Sequence, residues 1–296
     1  MKQLILAAVL AVTGVMAQTN RHSIQQIPDA DVAKMKEVIA AQTLPAQSQK
    51  ASILVFFRCE GFAHDKAIDH ANLMFKLLAE KGVWNVKFSD DYADLAPASL
   101  AKYDVLVMNN TTGLNLGKHP ELESDIISFV ESGKGYVVLH GGADNFGKSE
   151  KLCALAGGLF GGHPWGGGGK WKFKVDAANS PINASLGKES FFWGDEIYQH
   201  KPPYGDRAKM NVLVSLDFSD PATAAAGTKD KDKKTGQIVN KQNHQDTNDY
   251  PVSWTREQGK GRVFYTSFGH DQRAYLDAKI SEHIMRGVLF AAGSLK

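Results

Sequence analysis

The stretch Tyr136-Val137-Val138-Leu139-His140-Gly141-Gly142-Ala143-Asp144 decides how this chain is read. Tyr136 to Leu139 is an apolar run of β-forming residues, and it ends on a histidine, two glycines and an aspartate. In an open α/β sheet, ligands bind in the crevice just beyond the carboxyl ends of the strands. A histidine on the last residue of such a strand can point into that crevice, and the glycines let backbone or ligand come close. One such histidine could equally serve only to bond the backbone, so the rest of the chain has to arbitrate.

Upstream, apolar β-type runs at 52–57, 85–89 and 104–108 alternate with helical patterns at 66–81, 97–101 and 120–131, and the strand over 136–140 follows. Ala67, Ala71, Met74, Leu77 and Leu78 carry the helical spacing in the first of these helices, and Gly82 ends it. This alternation predicts a parallel sheet flanked by helices. A further helix is expected at 29–42. Downstream the character changes: strands are expected at 170–175, 196–200, 212–216, 252–257 and 262–268, with a hairpin turn at 258–261 and a closing helix at 278–290. The polar stretch 220–249, with its charged run 229–234, reads as a solvated excursion.

The chain has 296 residues, 43% of them hydrophobic and 22% charged, with a net charge of +2. This is globular composition, large enough for a sizeable core. No basic stripe with interleaved aromatics stands out, which argues against a nucleic-acid partner. Lys2, the apolar run from Leu4 to Val12 and Val15-Met16-Ala17 before Gln18 form the pattern of a cleavable leader, too short to span a bilayer. The expected organisation is a signal peptide at 1–17, a helical extension at 18–50 and one domain at 51–296, periplasmic or secreted. A homo-oligomer is compatible with this. Export permits a disulfide between Cys59 and Cys153, but nothing in the sequence brings the two together, and Cys59 reads as a spectator thiol rather than a nucleophile.

The glycine-rich segment 157–170 lacks the phosphate-loop spacing, because Trp171 follows Gly169-Lys170. No G-x-G-x-x-G follows a strand, so no nucleotide cofactor is expected, and no G-x-S-x-G elbow is present. What recurs instead is histidine and acid near strand ends. His64 and Asp65 follow the first strand, His140 and Asp144 the fourth, and His270 and Asp271 the last. His163 lies in the glycine-rich loop, and Glu196 and His200 share one strand face. Imidazole with carboxylate suits zinc or a similar divalent metal, which polarises a carbonyl or activates water. A metal-free His–acid pair doing general acid–base work is the alternative. The candidate metal ligands are His64, His140, His163, Glu196 and His270, with His140, Glu196 and His270 as catalytic candidates. Asp144, Trp165 and Tyr198 are candidates to contact a sugar, with Trp193 and Trp254 as further aromatics. His22, His70, His119, His244 and His283 lack converging context.

Several blocks, in this order, resemble the ThuA-like (trehalose utilisation) family: Gly61-Phe62-Ala63-His64-Asp65, Asn110-Thr111-Thr112-Gly113, Leu139 to Asp144, His163-Pro164, Asp195-Glu196-Ile197-Tyr198, Pro251-Val252-Ser253-Trp254 and Gly259 to His270. The resemblance implies a class I glutamine amidotransferase-like, flavodoxin-like fold and a role in sugar metabolism, plausibly on oxidised 3-keto-glycosides. It departs from true amidotransferases where their nucleophilic cysteine sits, since the turn here is His140-Gly141-Gly142. Glutamine hydrolysis is therefore not expected. Tyr250 stands before Pro251, where some relatives place a histidine. The expected function is an exported enzyme that eliminates, isomerises or hydrolyses a keto-glycoside; the alternative is a carbohydrate-binding protein without turnover.

Overall fold

A computed structural model of the chain describes residues 21–47, 49–117, 119–227, 230–231, 238–239 and 248–295. The leader read at 1–17, most of the run 229–234 and His244 lie outside the described residues.

The elements in chain order are α1 (Asp29–Ala41), β1 (Ala51–Phe56), α2 (Asp65–Glu80), β2 (Trp84–Ser89), α3 (Pro97–Leu100), β3 (Val105–Asn109), α4 (Glu121–Glu131) and β4 (Gly135–Leu139). Then come α5 (Glu150–Ala156), β5 (Phe160–Trp165), β6 (Trp171–Val175), β7 (Phe191–Trp193), β8 (Ile197–His200), β9 (Asn211–Leu216) and α6 (Pro221–Gly227). A small pair, β10 (Asp230–Lys231) and β11 (Ile238–Val239), precedes β12 (Pro251–Gln258), β13 (Gly261–Thr266), α7 (Gln272–Leu276) and α8 (Ala278–Ala291).

The main sheet runs β2-β1-β3-β4-β13-β12-β9-β6-β7. Its first five strands are parallel and follow the 2-1-3-4-5 order of flavodoxin-like folds, with β13 as the fifth. From β13 onward the pairing is antiparallel. Every residue of β3 and β4 is buried, as expected of parallel strands covered on both faces. One face packs against α1, α2 and α8, through Met35, Met74, Phe75, Ile284 and Val288. The other packs against α3, α4 and α5, through Leu100, Ile126, Phe129 and Leu152. Of the α2 stripe read from sequence, Ala67, Ala71, Met74 and Leu78 are buried and Leu77 is partly buried, with Phe75 joining the same face.

The two halves expected from the sequence are both present, and three differences bear on the site. Glu196 lies just before β8 rather than within it. His163 sits on β5, paired with β8 through register shifts, not in a loop; the glycines of Phe160-Gly161-Gly162-His163-Pro164-Trp165 hide the strand because they lack β-propensity. The short helices α5, α6 and α7 have no counterpart among the expected elements, since five to seven residues carry too little periodicity. Cys59 and Cys153 are buried free thiols. Among the described residues no helix is long and apolar enough to cross a membrane.

Candidate functional site

Four chain reversals at the carboxyl edge of the sheet bring distant residues together. After β1, the loop to His64 is held by Thr112, whose carbonyl accepts the N–H groups of Glu60 and Gly61 at 2.8 and 3.0 Å. Bridges from Cys59 to Thr112 and from Thr112 to Asp144 extend the β1–β3–β4 order past the strand ends. After β4, His140 adopts φ +39°, a conformation most side chains avoid. The chain therefore turns sharply as soon as the strand ends, and the imidazole is aimed along the crevice. Gly141 leaves room for the neighbour above it: a Cβ there would lie 3.1 Å from His64 Nδ1 and 3.2 Å from the Asn110 carbonyl.

Asp195 joins the other two reversals. Its carboxylate, 1% exposed, accepts the N–H groups of Glu196 at 2.9 Å, Gly269 at 2.9 Å and His270 at 3.3 Å. The turn before β8 is thereby fastened to the turn after β13, and Glu196 is set opposite His270.

The result is a cluster of histidines around one carboxylate. The rings of His64, His140 and His270 stand edge to face, with centroids 4.9 to 5.3 Å apart. Glu196 Oε1 lies 3.7 Å from His140 Nε2; its Oε2 lies 3.3 Å from His163 Nδ1 and 3.8 Å from His270 Nε2. One donor atom each from His64, Glu196 and His270 falls within 4.8 Å of the others. Buried ring nitrogens His64 Nδ1 and His140 Nε2 have no hydrogen-bond partner. A buried polar atom left unpaired costs about 1–3 kcal/mol, so two in one place ask for a ligand. Two imidazoles and a carboxylate are the donor set of a divalent transition metal with coordination positions left open.

At His64 and Glu196 the electrostatics suit that use, whereas His270 must give up a proton to serve as a ligand. Burial, reinforced by His140, His270 and His163, pushes the His64 pKa down to about 2, which keeps it neutral as a ligand must be. Burial would raise the Glu196 carboxyl, but His140, His270 and His163 hold it below its ordinary value. Burial would lower His270, but Asp271, Glu196 and Asp195 raise it. His140 Nδ1 lies 2.7 Å from the Ser267 carbonyl. A carbonyl can only accept, so Nδ1 donates to it, and Nε2 is the ring nitrogen turned toward Glu196.

Of the residues read from sequence, His64, His140, His163, Glu196 and His270 converge, with His163 half-exposed at the lip. Trp165 does not join a sugar-binding wall: it is fully buried, donates its indole N–H to the Thr223 carbonyl and packs on Tyr250. Tyr198 is likewise buried, supporting His140 from behind at 4.3 Å. Asp144 lines a neighbouring cleft instead of the cluster. His200 packs on Trp254 and Tyr265, because four residues of extended chain, about 13 Å, separate it from Glu196. Tyr250, standing where a histidine was looked for, belongs to a core patch with Trp165 and Phe218.

The sequence reading missed Asp195 and Phe62. Phe62 is 70% exposed, stands edge-on to His64 at 4.9 Å and lines, with Gln25, Lys66 and His270, a hollow of about 290 Å³ over the cluster. His22, set aside for want of context, pins residues 21–25 beside this hollow through Asp65 at 2.8 Å and Asp69 at 2.9 Å.

The ThuA family, described as trehalose utilisation, matches residues 52–291. Among solved structures, a ThuA-like protein from Bacteroides uniformis is 22% identical, with 83% of this chain and 95% of that chain covered and a TM-score of 0.61. One from Parabacteroides merdae is 15% identical, with 84% and 92% covered and a TM-score of 0.58. No curated protein matches this chain. The family match spans the crevice and all five converging residues, and the chain belongs to the ThuA (trehalose utilisation) family.

Proposed function

We infer that this chain is an exported enzyme that processes a glycoside, with a 3-keto-glycoside as the preferred form, at the His64–His140–Glu196–His270 cluster. The observation that carries this reading is His140 Nε2, a buried ring nitrogen without a hydrogen-bond partner, 3.7 Å from Glu196 on a backbone at φ +39°. The family's description as trehalose utilisation supports the sugar class, and the leader read at 1–17 supports export.

His64, Glu196 and His270 would hold zinc or a similar divalent cation. A cation so placed supplies Lewis-acid polarisation of a ketone or hydroxyl oxygen. The protein's own groups account for the proton transfers. His140 Nε2 removes the proton from C2, beside the C3 ketone; the electron pair forms a C1–C2 double bond as the C1–O bond breaks. His163, half-exposed at the lip, returns a proton to the departing alcohol. The Ser267 carbonyl holds His140 in the tautomer this requires, and Tyr198 keeps water from the back of the ring. Addition of water across the double bond completes a net hydrolysis.

The test is to titrate the purified protein with zinc, then assay 3-keto-glycosides and their parent glycosides with and without chelator. Zinc binding, turnover of the keto form alone, and its loss on chelation or in His140→Ala are expected. Turnover indifferent to both chelator and His140→Ala would overturn the assignment. Sugar binding without any turnover would establish the carbohydrate-binding alternative.

A further inference from the structure

A second cleft, of about 590 Å³, opens beside the cluster on the same carboxyl edge of the sheet. It lies between the turn after β3, the turn after β4, the start of β5 and the residue after β8. Its apolar walls include Leu114, Leu159 and Phe160, and Asp144, Lys148 and Lys201 bring charge to it. The size is that of a small-molecule site. Phe160 is the partition shared with the cluster: its ring stacks on His163 at 5.8 Å and meets Tyr198 at 4.6 Å.

The polar floor is already spoken for. Asn145 Oδ1 accepts the Leu114 N–H, and its Nδ2 donates to the Thr111 carbonyl. The lysines are not. Elsewhere Lys87, Lys134 and Lys172 lie against Asp94, Asp104 and Asp217. Lys148 and Lys201 form no salt bridge among the described residues, and their two charges exceed the single carboxylate of Asp144. The Lys201 backbone is fixed by its N–H bond to the Leu159 carbonyl at 2.8 Å, which holds that residue at the rim. A cleft with an aromatic partition, one carboxylate and an excess of ammonium groups is complementary to a ring that carries hydroxyls and one anionic group.

We propose that this cleft is a subsite for an anionic glycosyl unit, bearing a carboxylate or a phosphate, bound alongside the cluster. The sugar portion of that ligand rests on the function proposed above; the anion preference rests on the cleft alone. Lys148 and Lys201 contact the anion, Asp144 takes hydroxyls, and Phe160 carries the apolar face of the ring toward His163.

Calorimetric titration of the full chain, with chelator present and at low ionic strength, uses methyl β-glucuronide, glucose 6-phosphate and the neutral methyl β-glucoside as probes. At least one anionic probe is expected to bind about 10-fold tighter than the neutral one, a difference of about 1.4 kcal/mol, and to weaken with salt. Which anionic probe binds tighter distinguishes uronate from sugar phosphate. Lys148→Gln with Lys201→Gln, both at exposed positions, should bring the anionic probes to within about 2-fold of the neutral one by the same conversion, with an unchanged melting temperature. Equal affinity for all three probes overturns the proposal, as does a preference that survives the double variant. A preference lost in His64→Ala but kept in the lysine variant also overturns it, because the anion was then on the histidines. Zinc binding and keto-glycoside turnover are read on the same preparations, so failure of the cleft is separable from failure of the cluster.

Discussion

Replacing Asp195 by asparagine probes whether one buried carboxylate positions two elements of the site. In the parent, Oδ1 accepts from Glu196 and His270 and Oδ2 from Gly269. Three donors on two oxygens call for the ionised form, although burial pushes this carboxyl above its usual range. Asparagine can still accept from Glu196 and His270, but its Nδ2 then faces the Gly269 N–H, donor against donor. One charge-assisted bond is lost and one buried N–H is stranded, a cost of about 2 kcal/mol. Alanine strands all three donors and should cost about 4 kcal/mol, in the range for breaking a buried charged network. Urea unfolding of the zinc-free protein measures this. The second readout is zinc affinity by competition with a chromophoric chelator. Groups that orient metal ligands typically matter by about 10–100-fold, and Asp195→Asn should weaken zinc within that range, because the turn carrying His270 loses its bond at Gly269 and meets a donor there instead. An asparagine variant that is destabilised yet binds zinc like the parent would refute the positioning argument and leave Asp195 as a structural staple. One as stable as the parent would refute the bond accounting itself.

Gly141→Ala places a methyl 3.1 Å from His64 Nδ1 and 3.2 Å from a backbone carbonyl; overpacking of this kind costs about 1–3 kcal/mol, and His64 should be displaced, so zinc affinity falls together with the melting temperature. His283, fully buried, has its pKa pushed down to about 4 by burial, so the unfolded chain, titrating near 6.5, takes up the proton first. Stability should then decline as pH falls from about 6.5 to 4, with a His283 share of about 3 kcal/mol. His64, depressed further, adds to the same decline, and in urea unfolding across this range of pH His283→Gln should remove only its own part. Phe62→Ala removes a ring that is 70% exposed and should leave stability within about 0.5 kcal/mol. If that ring stacks on the sugar, glycoside affinity should drop by about 1 kcal/mol, and an unchanged dissociation constant in calorimetry would remove it from the binding surface.

The parallel half of the fold was legible because its strands are buried on both faces and its helices carry clean apolar stripes, as in α2. The strand-end histidines were legible for the same reason: once β1, β4 and β13 are placed, His64, His140 and His270 must share one edge of the sheet. The aromatic assignments failed because a tryptophan or tyrosine near a site in sequence carries no sign of which way it faces. Trp165 ends β5 and Tyr198 lies on β8, a pair whose register shifts no pattern of hydrophobicity reveals. Phe62 was read only as part of a motif, in a loop without periodicity. Asp195 was quoted in the Asp195-Glu196 block, but its work consists of accepting backbone N–H groups 74 and 75 residues away, which leaves no local trace.

Within the molecule, the histidines offer their own control. His22 engages both ring nitrogens, with Asp65 and Asp69, and His70 engages both, with the Lys66 carbonyl and Asp31. These are imidazoles placed for structure, and each sits on unremarkable backbone. His140 does the opposite twice over. It adopts φ +39°, which for a non-glycine residue costs about 1–3 kcal/mol, and it buries a nitrogen with nothing bonded to it. A residue needed only for packing would be relieved of both penalties by a glycine or asparagine at the turn. The reversal after β4 presents His140 Nε2, with the ring held from behind by Ser267 and its front open to Glu196. Strain and an unspent acceptor on one side chain are what a proton-transfer residue requires, and they make His140, ahead of any single metal-ligand candidate, the residue on which the proposed chemistry depends.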